Sequence, residues 1–303
     1  MPANRRRIPP APDDFAAGRM TIPHVEPQEP EWLWKNWLAR GMLHVLEGDE
    51  GSGKSAIVNW LVSVASRDDV SWPGDAGPSP GIITHLYSQE SPYRYTTGRD
   101  LQANGANLSN ILLGRADSFY AAVGNLDWIG HHAELPTPDL VVINTWSHYS
   151  ARDEVEEIKN QQITLALSEF AEVCADHNIA GLVVMHTRKN SKSGSVRERI
   201  RGGIAHRAVP LIVMSVEVDH SDPDKPHVLA RTKENLRISL EGGFRVTMKD
   251  DSSLTYQAVE GYGPDLILDA MKSSEAAERG THEGGPHRVQ HRRPRGRMVE
   301  RPS

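Results

Sequence analysis

The 303-residue chain holds a single cysteine, Cys174. That excludes a disulfide framework, and nothing in the sequence asks for an oxidising compartment. No stretch has the length or apolarity of a membrane span, so no membrane partner is expected. The opening residues, MPANRRRIPPAPDD, lack the apolar centre of a signal peptide, and the expected location is the cytoplasm. A surplus of positive charge is missing as well. The net charge is −6, so the chain as a whole is not a basic nucleic-acid binder, and its cations matter where they cluster. Apolar residues make up only 38 %, but the 25 glycines are counted apart from them, and adding these gives an ordinary globular composition.

What is present has a clear order along the chain. Residues 1–28 are rich in Pro, Ala and charge without periodicity and read as a disordered arm. Residues 29–262 read as one α/β domain, 263–279 as a short helix, and 280–303 as a basic disordered tail. The tail's Arg288, Arg292, Arg293, Arg295 and Arg297 leave two readings open, a solvated tail or an electrostatic tether to nucleic acid. Within the domain, short apolar runs alternate with helical patterns, as a mostly parallel, helix-flanked sheet requires. MLHVLEG (42–48), GIITHLYS (81–88), DLVVIN (139–144) and AGLVVMH (180–186) read as strands. SAIVNWLVSVASR (55–67) reads as a helix, and a longer one carries Ile158, Ile163, Ala166, Leu167, Phe170, Val173 and Cys174 on one face. Cys174 in that stripe reads as a packed thiol. From residue 211 the runs LIVMSVEV, HVLARTK, GGFRVTM and SLTYQAV are joined by short connections, which favour antiparallel pairing. The Trp32, Trp34 and Trp37 cluster is read as packing on the sheet edge or a neighbouring subunit rather than on a nucleotide.

The strongest signal is GDEGSGKS, residues Gly48, Asp49, Glu50, Gly51, Ser52, Gly53, Lys54 and Ser55. It fits G-x-x-x-x-G-K-[ST] and lies between a strand and an amphipathic helix, the context that gives the pattern a mechanism. The glycines let backbone N–H groups turn inward around phosphate oxygens, and the following helix adds partial positive charge. Lys54 is expected to reach the β- and γ-phosphates, and the Ser55 hydroxyl to bind Mg²⁺. The expected cofactors are therefore ATP and Mg²⁺.

Further stretches then fall in a fixed order: EWLWKNWLARG before the first strand, LYSQES ending the second on Glu90, LQANGANLSNILL, MHTRK ending the fourth, RIRGG, and ARTKENL. In this order the chain resembles RecA-like P-loop ATPases of the RepA type, the hexameric helicases of plasmids and their phage relatives, over roughly residues 30–250. The resemblance implies a RecA-like core with a C-terminal antiparallel extension, ring assembly as a homohexamer, and action on single-stranded DNA in plasmid or phage replication. It implies that Glu90 polarises the attacking water and that His186 senses the γ-phosphate. Lys233, Arg207 or Arg231 would reach a neighbour's nucleotide across the interface. The segment 187–203 would face the channel, with Lys189, Lys192, Arg197, Arg199 and Arg201 on DNA phosphates. It has no aromatics to stack bases, so its contacts would be electrostatic.

The chain also departs from that pattern. Related sequences carry aspartate at the end of the third strand, where it holds the magnesium ion's water shell; here Asn144 stands in its place. The amide keeps the shape and can accept a hydrogen bond from a bound water, but loses the charge. Ser91, Gly203 and Leu211 replace, in turn, a second acid, a serine and an interface arginine, and the helix pattern near Arg99 is offset. Two functional classes stay open: an ATP-driven DNA motor, and an ATP-binding assembly or regulatory protein with weak or no hydrolysis. A recombination mediator is a closer variant of the first.

Overall fold

The computed structural model describes residues 28–74, 77–79, 81–88, 93–114, 137–146, 160–186 and 207–283. A short hairpin of β1 (Trp32–Trp34) and β2 (Leu38–Ala39) leads into β3 (Leu43–Gly48) and helix α1 (Lys54–Ala65). Next come β4 (Thr84–Ser88), α2 (Thr97–Ala103), β5 (Ile111–Gly114), β6 (Leu140–Asn144), α3 (Asn160–His177) and β7 (Ala180–His186). The chain continues through β8 (Ile212–Val218), β9 (His227–Glu234), β10 (Glu241–Met248) and β11 (Leu254–Tyr262) into α4 (Gly263–Glu283).

Nine strands form one sheet in the order β11-β10-β9-β8-β3-β7-β6-β4-β5. From β8 to β5 every pairing is parallel, and from β8 to β11 every pairing is antiparallel. This is the mostly parallel RecA-like core with its antiparallel extension. The expected strands appear within a few residues of their sequence bounds. The side-chain period of two explains the apolar runs of β6 and β7, because both faces are covered. Leu140 and Val142 of β6, Leu182 and Val184 of β7, and Met214 and Val216 of β8 join one core with Ile57, Leu61 and Ala65 of α1. Val141, Ile143, Val183, Met185 and Val213 face the other way, onto Ile163, Leu167, Phe170 and Cys174 of α3. Cys174 is fully buried, which pushes its thiol pKa up, as a packed thiol requires.

The antiparallel end is closed from two sides. Ile267, Ala270 and Met271 of α4 pack on Val228 and Ala230 of β9. On the opposite face Trp34 stacks between Trp37 at 4.5 Å and Trp72 at 5.4 Å, with Phe244 of β10 against both Trp34 and Trp37. The tryptophans thus lie in the core, as packing predicts. His44 fastens this hairpin to the sheet. The Ala39 N–H donates to its Nε2 at 3.1 Å, which leaves Nδ1 to donate to the Gly181 carbonyl at 3.0 Å. Burial holds His44 neutral, with its pKa lowered to about 4.

Candidate phosphate-binding site

In a parallel sheet, ligands gather beyond the carboxyl ends of the strands, and the candidate residues collect there. Register places Gly48 of β3 beside His186 of β7, and Asn144 of β6 beside Ser88 of β4. The loop from Gly48 to Ser55 turns sharply enough to need positive φ at Gly51 (81°) and Gly53 (84°). The space is equally demanding at Gly48, where a Cβ would sit 2.3 Å from the Val216 carbonyl oxygen. Gly51 has open space around it, so the crest of the loop is free to approach a ligand.

Helix α1 starts at Lys54 with Gly53 as N-cap, no side-chain cap and no acid in its first turn. The positive end of its dipole is therefore left to the loop. Lys54 is almost fully buried and folds over the turn. Its Nζ donates to the carbonyls of Gly48 at 2.9 Å and Asp49 at 2.6 Å, and to Ser52 Oγ at 3.4 Å. Burial lowers its pKa to about 8, against the opposite pull of the Glu217, Asp49 and Glu50 carboxylates. An ammonium in this position is poised to exchange carbonyl partners for phosphate oxygens, which bind it more strongly because they are charged.

Ser55 and Asn144 face one another. The Asn144 amide is buried, and both its Oδ1 (3.4 Å) and its Nδ2 (3.3 Å) lie at hydrogen-bonding distance from Ser55 Oγ. The pair offers a hydroxyl and a neutral amide on the phosphate side of the loop. Such a donor set suits Mg²⁺, which keeps its waters and takes most of its charge compensation from phosphates. Among the described residues no group of three or more His, Cys, Asp or Glu is arranged to hold a metal ion by itself.

The remaining sequence candidates divide. His186 closes β7, partly exposed, next to the loop. Glu90 lies outside the described residues, as do Lys189, Lys192, Arg197, Arg199 and Arg201. Arg207 is bound within its own chain. Its Nη2 lies 2.5 Å from Glu47 Oε1 and 2.6 Å from Thr232 Oγ1, and Ser215 Oγ completes the ring of contacts at 2.9 Å from Glu47. Arg231 is buried too; it lies 5.1 Å over the Trp37 ring and donates to the carbonyls of Asn36 and Glu241. Lys233 is partly exposed, with its Nζ 2.5 Å from the Pro210 carbonyl. Leu211 packs on the core beside the sheet.

One contact has no counterpart in the sequence reading. His227, the first residue of β9, lies against the loop with Nδ1 at 2.9 Å from the Ser52 carbonyl. A Cβ on Gly53 would fall 2.5 Å from its ring, so the glycine serves the fold twice, by its φ and by making room for the imidazole. Burial lowers the His227 pKa, with the Ser52 carbonyl pulling the other way.

Comparison with known proteins agrees with this geometry. No curated protein matches the chain. Among solved structures, a KaiC-like protein from the hyperthermophilic archaeon Pyrococcus horikoshii OT3 superposes with a TM-score of 0.50 at 11 % identity, covering 74 % of this chain and 94 % of that one. At that identity the likeness carries the fold alone. The AAA domain family profile matches residues 14–192, more than half of the chain, and includes the whole phosphate loop. The chain therefore belongs to the AAA domain family, as an ATP-binding P-loop ATPase with a RecA-like core.

Proposed function

We propose that the protein is a Mg-ATP-dependent motor that assembles as a ring, a homohexamer, and acts on single-stranded DNA in phage or plasmid replication. The observation that carries this reading is the register pair Gly48–His186, because β7 runs from His186 straight into the basic segment 187–203. A phosphate backbone held by Lys189, Lys192, Arg197, Arg199 and Arg201 would load a strand whose last residue adjoins the phosphate loop. Lys54 and the loop amides grip the triphosphate, while Ser55 directly and Asn144 through a water would hold Mg²⁺, which would neutralise phosphate charge. Glu90 orients the attacking water and His186 senses the γ-phosphate. Lys233 is the cation offered to a neighbour's nucleotide: it would exchange its contact with the Pro210 carbonyl, whereas Arg207 and Arg231 each hold several partners within the subunit.

A second reading has its own observation. The side chain that faces Ser55 is the neutral amide of Asn144 and not a carboxylate, which favours an ATP-binding assembly or regulatory protein that turns over slowly or not at all. Steady-state phosphate release with and without single-stranded DNA, beside sizing with and without nucleotide, separates the two. DNA-stimulated turnover that Lys54→Ala abolishes supports the motor. Tight ATP binding and nucleotide-dependent assembly without turnover support the switch.

A further inference from the structure

The β8–β9 connection is fixed more firmly than an eight-residue surface turn requires. Val218 and His227 pair across its base, and the Asp219 N–H donates to the Pro226 carbonyl at 2.9 Å. Asp219 Oδ1 accepts from both the N–H (3.0 Å) and the hydroxyl (2.5 Å) of Ser221. Arg245 of β10 clamps the turn from behind, with one guanidinium nitrogen 3.0 Å from Asp219 and the other 3.0 Å from Asp222. This rigid mount delivers the His227 ring to the phosphate loop.

The contact it makes there has one chemical meaning. A carbonyl oxygen only accepts, so the nitrogen 2.9 Å from the Ser52 oxygen is an N–H, and His227 carries its proton on Nδ1. The other polar groups of Ser52 are also held: its N–H donates to the Asp49 carbonyl at 3.1 Å, and its hydroxyl receives the Lys54 ammonium. The Ser52–Gly53 peptide is trans and planar, so its N–H points opposite to its C=O. A carbonyl drawn towards His227 directs the Gly53 N–H away from the β8–β9 connection. We propose that His227 is a positioning residue for the phosphate cradle, which sets the orientation of the Gly53 amide through the Ser52 carbonyl. It does not touch the nucleotide in this role; it keeps one of the cradle's donors aimed before the ligand arrives, which removes an ordering cost from binding.

The inference rests on the ATP-binding reading of the loop, and two amide replacements of different length test it. Asparagine places an amide N–H close to where Nδ1 stands, whereas glutamine carries its amide one bond further out. MgATP affinity is measured by titration calorimetry on the full chain, with thermal melting as a check on folding. His227→Asn is expected to bind within about twofold of the original protein, and His227→Gln about tenfold more weakly, the scale of one lost hydrogen bond. Equal affinity in all three proteins, or equal loss in both variants, overturns the positioning role. An unsubstituted chain that binds no MgATP instead overturns the reading on which it rests.

Discussion

Replacing Asn144 by aspartate tests the metal side of the site. The amide is buried at the end of β6, with both of its polar atoms 3.3–3.4 Å from Ser55 Oγ in the first turn of α1. The carboxylate loses the Nδ2 donor, but the Ser55 hydroxyl can still donate to an oxygen in place of Oδ1, so that contact survives. What changes is the partnership with a magnesium-bound water. Hydrogen bonds to charged groups contribute roughly 1.5–3 kcal/mol against about 0.5–1.5 for neutral ones. A gain of about 1–1.5 kcal/mol in the transition state is a factor of roughly ten in turnover. There is an opposing cost: without the cation a buried carboxylate is destabilising, softened here by the positive end of α1. Asn144→Asp should therefore melt lower than the original protein without ligand, gain more from MgATP, and saturate at lower Mg²⁺. The assay is steady-state phosphate release at saturating ATP across a magnesium series, with melting curves alongside. A folded, ATP-binding variant whose rate and magnesium dependence match the original would refute the argument that the missing charge limits turnover.

The remaining predictions follow from other groups. Lys54 titrates at about 8, and bound phosphate favours its charged form, so MgATP affinity should be flat below pH 8 and fall about tenfold by pH 9; calorimetry at stepped pH checks this, and a flat profile from pH 7 to 9 contradicts it. Burial lowers the His44 pKa from its ordinary 6.5 to about 4, so the unfolded state binds more protons between pH 6.5 and 4. Its contribution is fully present above pH 6.5 and declines by roughly 3 kcal/mol as pH falls to 4; urea unfolding across that window should show the slope, reduced in His44→Gln. Arg207 is partly buried against the buried Glu47 carboxylate, and removing it leaves that carboxylate uncompensated, so Arg207→Met should cost about 1–3 kcal/mol, while Glu47→Gln with Arg207→Met should cost less than the single change; a double-mutant cycle by denaturant unfolding decides, and simple additivity would count against the pairing.

Much of the fold could be read in advance because its causes are local. The strands of the parallel core are covered on both faces, so β6 and β7 in particular read as apolar runs that stand out from the helices between them. The phosphate loop was legible for the same reason: its glycines answer to φ values set within eight residues. The hairpin wall was not, since His227 and Ser52 lie 175 positions apart and meet only once β8 takes its place beside β3. Nothing in HVLARTK marks its first residue as a neighbour of the loop. The arginines show the same limit. A guanidinium is chemically fit to reach another subunit, and only the tertiary fold reveals that Arg207 meets Glu47 and that Arg231 meets Trp37.

Sheet order also explains why the two flanks of the loop differ in chemistry. β3 lies between β7 and β8, so each flank receives whatever the neighbouring strand carries at that edge. On the β7 side arrive His186 and, one strand further, Asn144 facing Ser55: polar groups that can respond to a phosphate or its metal. On the β8 side arrive Ser215 on the buried Glu47–Arg207 pair and, across the hairpin, His227 on the Ser52 carbonyl. Those contacts are intramolecular and hold the strand and the loop in place. A cradle whose amides must be aimed before binding needs a stiff wall, and a site that must register hydrolysis needs a side that can change partners. The antiparallel extension thus stiffens one wall of the cradle, through His227 on the Ser52 carbonyl.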